Sequence, residues 1–192
     1  MARPPVAHDK ILAAARQIVE RDGAGALTFD ELVKESGITR GGITYHFPTK
    51  EDLLRGLLEA DFRKWDASEA ALTPSDCEPE TARLLGFIRT LTAQDESHRR
   101  FLCGMLSAAT LDPSLMDPCR QELRERLGRK QWTDRDLRLH LVHLAAEGLM
   151  WQELFQMYSM PGPARGRLVA LMESLARQWG AGQAPKKIAK EA

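Results

Sequence analysis

Six residues with phosphate-bonding or base-bonding groups fall within one run of this chain: Thr39, Arg40, Thr44, Tyr45, His46 and Lys50. Hydroxyl, guanidinium, imidazole and ammonium groups are those that bond phosphate oxygens and base edges. Gly41 and Gly42, placed among them, leave no side chain to hold a partner's backbone away. The run reads as a helix of barely two turns, stopped by Phe47-Pro48. A helix that short is marginal alone in water, so neighbouring elements must hold it. The expectation is a recognition helix for double-stranded DNA.

The elements before it are those needed to position such a helix. Ile11, Leu12, Ala15, Ile18 and Val19 recur at helical spacing, and Gly23-Ala24-Gly25 ends that helix. Thr28 with Glu31 predicts a capping box, and Ser36-Gly37 closes the second helix. Thr39 is a second N-cap. Two short helices joined by a Gly-containing turn form the helix-turn-helix pattern. Ile43 and Phe47 face inward in this register, which turns Arg40, Thr44 and Tyr45 outward. Thr28 and Thr39 serve as caps with or without DNA, although helix N-termini also receive phosphates. Arg40 could read a guanine edge or hold a phosphate, and His46 could contact phosphate or cap the helix end.

Residues 8–56 resemble the N-terminal domain of the TetR family of bacterial transcriptional repressors. The resemblance rests on Ala14-Ala15, Gly23, Thr28, Ile38-Thr39-Arg40-Gly41, His46-Phe47, Lys50 and Leu53-Leu54. One departure is that Thr44 stands where the family usually has Tyr, with the aromatic one step later at Tyr45. The Tyr-His-Phe-Pro variant is similar to that of drug-responsive members. The resemblance implies that Lys50 clamps a phosphate. It also implies a homodimer formed by the last two helices, with a ligand pocket among the middle ones.

The rest of the chain predicts helices throughout: an all-α fold of about nine. A long helix starts after Thr49 and runs to about Leu72, and Pro74 and Pro79 break it. Helical spacing resumes near Glu80, again over 98–110, and again after Asp112-Pro113. It then holds over 134–158, up to Pro161-Gly162-Pro163, and over 164–179. The expected organisation is a DNA-binding domain at 1–50, a sensing and dimerisation domain at 51–182, and a disordered tail at 183–192.

Leu137, Leu141, Leu144, Ala145, Gly148 and Leu149, with Leu168, Leu171, Met172 and Leu175, are the candidate dimer stripes. His143, Glu147 and Trp151 share one helix face by their spacing of four. That polar pair beside a Trp suits a pocket for a small amphipathic effector, walled by Phe87, Phe101, Met105, Met150 and Phe155. For any single Met or aromatic residue, core filling is the better explanation. The partner of Glu147 could be His143, a residue across the dimer, or a cationic ligand. Glu147, Trp151 and Phe155 slightly favour a lipophilic cation over an acid.

Composition limits the other readings. The 192 residues are 43% hydrophobic with a formal net charge of zero. Residues 1–64 carry as many acids as bases, yet 36–50 holds Arg40 and Lys50 and no carboxylate. A few phosphate contacts per half-site need no larger excess. Cys77, Cys103 and Cys119 lack metal-type spacing and read as reduced thiols of a cytoplasmic protein. His140, His143 and Glu147 put at most two donors on one face, so no metal site and no cofactor are expected. No apolar run is long enough to span a membrane, and the lack of a nucleophile–base pair, phosphate loop or metal cluster argues against an enzyme. The alternative is a helical interaction protein that has lost DNA binding.

Overall fold

The computed structural model describes residues 6–183. The expectation of a disordered tail falls, beyond Gln183, outside the described residues. Nine α-helices and two short 3-10 turns make up the described chain, with no strand among them. The helices group into two compact units. One comprises the chain to Trp65 together with Gln94–Glu125, and the other comprises Asp66–Ala93 and the chain from Arg126.

In the first unit, α1 (Val6–Asp22) ends where Gly23 adopts φ 82°, a left-handed conformation a side chain would oppose. A 3-10 turn over Ala24–Ala26 leads to α2 (Phe29–Ser36). Only half of the expected capping box forms there. The Thr28 hydroxyl accepts from the Glu31 amide at 3.2 Å, while the Glu31 carboxylate accepts from Lys34 Nζ at 2.6 Å. Gly37, at φ 65°, closes α2 and sends its amide to Val33. Helix α3 (Arg40–His46) follows, and the Thr39 hydroxyl caps it by accepting from Gly42 N at 3.2 Å. The reciprocal Thr49–Asp52 bonds start α4 (Lys50–Leu72).

Helix α6 (Glu96–Leu111), late in the sequence, completes this first core. Phe101 is fully buried with Ile18, Leu32, Ile43, Leu53 and Leu57. A Cβ on Gly104 would stand 2.6 Å from Val19 Cγ1, so α6 approaches α1 more closely than any side chain would allow. Beside it lies a polar network that the apolar periodicity does not reveal. Arg16 Nη1 donates to the buried Asp61 at 2.7 Å, and its Nε donates to Glu20 at 2.7 Å. Ser97 donates to Glu20, His98 Nδ1 lies 3.5 Å from Asp61, and the Arg16 guanidinium sits 4.0 Å over the Phe101 ring. The pairing is what allows Asp61 to be buried at tolerable cost. After Asp112 a 3-10 turn (Pro113–Met116) precedes α7 (Asp117–Gly128), instead of the single helix expected there.

The second unit is built from α5 (Pro79–Thr92), α8 (Asp134–Leu154) and α9 (Gly162–Gly180). Leu85, Ile88, Leu139, Val142, Ala146 and Met172 are among its buried residues. A full capping box between Thr133 and Asp136 starts α8. The helix ends at Leu154, earlier than the expected 158. Gln156 takes φ 51°, and the Met157 amide turns back to Gln152 O at 3.0 Å, which closes the last turn.

Candidate nucleic-acid interface and ligand cavity

Helix α3 is held by its inward residues, Ile43 at 0% exposure and Phe47 at 4%. Gly42 is part of this seat, because a Cβ there would meet Ile38 Cγ2 at 2.9 Å. Gly41 faces open space. Between these anchors Tyr45 projects outward with 83% of its surface exposed. An aromatic side chain that exposed gains little burial from the fold.

The charged groups around Tyr45 are engaged locally. Arg40 Nη1 donates to Asp30 at 2.8 Å, and the guanidinium lies 5.5 Å from the Phe29 ring centre. Lys50 Nζ reaches Gly25 O at 3.4 Å, which fixes the start of α4 beside the turn after α1. The Thr44 hydroxyl donates back to Arg40 O and Gly41 O within its own helix. His46 closes α3, edge-on to Tyr45 at 5.2 Å and to His8 at 6.0 Å. Thr39, Arg40, Gly41, Thr44, Tyr45, His46 and Lys50 therefore cluster on and beside α3, with Thr28 capping the preceding helix. Two partners were not foreseen, Asp30 for Arg40 and His8 for His46. Their positions on α2 and α1 gave no local signal.

The second unit contains a cavity of ≈ 610 Å³ lined by α5, the end of α7 and the first half of α8. That volume suits a drug-sized ligand, for which pockets of roughly 300–1,000 Å³ are usual. Of the eight residues expected to bind ligand, only Phe87 and His143 line it. Their rings stack at 4.2 Å. Phe101 and Met105 belong to the core of the first unit, because α6 packs on α1. Met150 does not line the cavity, and Trp151 and Phe155 stand on the exposed side of α8, stacked on each other at 5.8 Å. Glu147 sits behind His143, whose Nε2 is 3.2 Å from its carboxylate. That bond leads the causes that hold the Glu147 carboxyl below its usual range. The residues that favoured a cationic ligand thus lie outside the cavity wall.

What lines the cavity instead is polar and mostly paired. Arg135 donates to Glu80 at 2.7 Å and to Glu78 at 2.5 Å, and Lys130 bonds Glu80 and lies 3.6 Å from Asp136. Burial alone would raise Glu78, but the amides of Glu80 and Thr81 and the Arg135 charge bring it below its ordinary value. His140 is pushed down by burial first and by His143 second. No group of three or more His, Cys, Asp or Glu able to hold a metal occurs among the described residues. No described helix is long and apolar enough to cross a membrane.

The opposite side of α8 is apolar and uncovered. Leu137, Leu141, Leu144, Trp151 and Phe155 are exposed, and Gly148 completes the four-and-three spacing of that face. Leu171 is exposed on α9. Leu149 and Met172, expected in the same stripes, are buried in the unit's own core.

Comparison with known proteins supplies the family. Residues 11–57 match the model for bacterial regulatory proteins of the tetR family, and residues 81–177 match the tetracyclin repressor-like C-terminal domain. The HTH-type transcriptional regulator QacR of Staphylococcus aureus is 40% identical over 57 residues, a stretch that spans 30% of each chain. A transcriptional regulator from Rhodococcus sp. Rha1 superposes with TM-score 0.64 at 19% identity, over 92% of this chain and 98% of that one. The multidrug binding protein EbrR, complexed with ethidium, superposes with TM-score 0.61 at 18% identity, over 90% and 99%. At these identities the two structures establish the fold alone. With one family model over the helix-turn-helix and another over the following bundle, the chain belongs to the TetR family of bacterial regulatory proteins.

Proposed function

We propose that the chain is a homodimeric transcriptional repressor, not an enzyme. It binds a palindromic operator through α3 and is released by a small amphipathic ligand in the cavity of the second unit. The observation that carries the reading is Tyr45, bare on the outward side of a seven-residue helix whose other side is seated in the core. A two-fold dimer would present two such helices to half-sites about one turn of DNA apart, ~34–36 Å or somewhat more. The uncovered apolar face of α8 and α9 supports self-association, since one patch repeated about a two-fold axis covers both copies. EbrR, whose structure holds ethidium, supports an effector role for the cavity by analogy of fold. Helices α4 and α7 each contribute residues to both units, and they are the proposed route from ligand to DNA. The proposed setting is the cytoplasm.

A second reading, an interaction protein that has lost DNA binding, is favoured by the local pairing of Arg40 with Asp30 and of Lys34 with Glu31. A gel-shift with the DNA flanking this protein's own gene separates the two. A retarded complex whose formation falls steeply with salt is expected. Absence of any complex from folded, dimeric protein would establish the second reading.

A further inference from the structure

The cavity's charges are unequally satisfied, and that inequality points to its ligand. Glu78, Glu80 and Asp136 are tied to Lys130 and Arg135. Glu69, the fourth acid of the wall, is engaged as well, so a cation entering there would compete with an existing interaction. Arg83, Arg126 and Arg129 also line the wall and form no direct ion pair with a carboxylate among the described residues, although the Arg126 charge helps to hold Glu147 ionised. Arg83 and Arg129 are exposed to solvent, whereas Arg126 is half-buried.

Arg126 is the informative one. Its Nη2 lies 3.2 Å from His143 Nε2, the same nitrogen that is 3.2 Å from Glu147 Oε1. One ring nitrogen cannot both accept from Arg126 and donate to Glu147. The Glu147 carboxyl is held below its usual range, so it is ionised at neutral pH and can only accept. Nε2 can serve only one of the two, because Arg126 always donates and the ionised Glu147 only accepts. In either tautomer Arg126 has at most that one ring nitrogen to accept from its five N–H donors, and no carboxylate partner among the described residues. A half-buried charge in that position needs an acceptor, and the cavity is where one can enter.

The surroundings define the rest of the ligand. His143 stacks on Phe87, His140 lies parallel to His143 at 6.0 Å, and Trp132 meets His140 edge-on at 5.3 Å. Leu84, Leu127 and Leu139 complete the wall with aliphatic surface. Taking the cavity as the effector site, on which this inference rests, we infer that its ligand is a flat aromatic or aliphatic acid whose anionic group is held by Arg126.

The test uses the full-length protein with two fluorescent probes of opposite charge, anilinonaphthalene sulfonate and ethidium. Wild type should bind the sulfonate more tightly than ethidium, with quenching of Trp fluorescence. Arg126→Gln should weaken the sulfonate about tenfold or more, the loss expected for one charged hydrogen bond, and Arg126→Lys should restore much of it. Glu147→Gln should leave sulfonate affinity undiminished. Circular dichroism and sedimentation identical to wild type guard against dye uptake by a loosened fold. Tighter binding of ethidium, lost in Glu147→Gln, would overturn the anion assignment and leave the effector cavity standing. Binding of neither probe, nor of any of a panel of aromatic acids, would overturn the effector cavity along with it.

Discussion

The two units use the same residue types to opposite ends. In the first, Phe101 is buried to the last atom, and a salt-bridged Arg16–Asp61 pair fills the space beside it. In the second, Trp151, Phe155 and three leucines of α8 stand in the open, and the charged groups cluster around a cavity. One unit buries its large aromatic in its own core, and the other carries an exposed apolar face and a cavity. On the proposed function, the difference separates what a rigid reader of DNA needs from what a sensor needs. A recognition helix must be held still, because a base contact is worth its energy only in one register. A sensor and an assembly face must leave surface to be covered.

The comparison can be broken most decisively at the reading helix. Tyr45→Ala should abolish operator binding by gel-shift, a loss of about 1–3 kcal/mol per half-site, while helicity and assembly remain. A drop in circular dichroism would instead make Tyr45 part of the fold. The next largest effect sets one residue type against itself across the two units. Phe101→Ala should lower unfolding free energy by about 3–5 kcal/mol in urea, whereas Phe155→Ala should change it little in monomeric protein. Equal losses would erase the contrast.

Leu141→Glu comes next, with a charge placed in the centre of the uncovered face. It should shift the protein from dimer to monomer in sedimentation without altering the helical signal, since Leu141 is exposed and is not among the buried residues of the unit's own core. A dimer that survives the charge would move the interface elsewhere. The smallest effect is one of pH. Burial depresses His98 in the folded state against the pull of Asp61, so the unfolded chain takes the proton first. Its share of stability is full above the unfolded value near 6.5 and is lost as pH falls from there to the lower folded value. The Tm should fall on going from about pH 7.5 to about 5.5, and His98→Gln should flatten that slope.

How much of this could be read from the chain follows the same division. Thr28, Gly37, Thr39 and Phe47 act on neighbours within a few residues, so caps, turn and the inward set of α3 are legible in sequence. The Arg40–Asp30 and Arg16–Asp61 pairs span ten and forty-five positions and leave no periodic trace. The cavity is harder still. Arg126 meets His143 only because the end of α7 returns to α8, and Trp151 lies outside the pocket because the cavity meets only the first half of α8. Helical spacing puts His143, Glu147 and Trp151 on neighbouring rows but does not say which row faces a neighbour. Phe101 and Met105, expected in the pocket wall, lie in the first unit's core for a related reason: α6 packs on α1, far from it along the chain.

The close seat of Gly104 against Val19 has a consequence for amide exchange. With no Cβ between them, α1 and α6 cannot slide or part by small steps, since any displacement would open a gap along packed backbone. Their amide protons should therefore exchange together, in a single opening event with one shared dependence on denaturant. The seven-residue α3, tied down mainly through Ile43 and Phe47, should release its protons in an earlier and smaller opening.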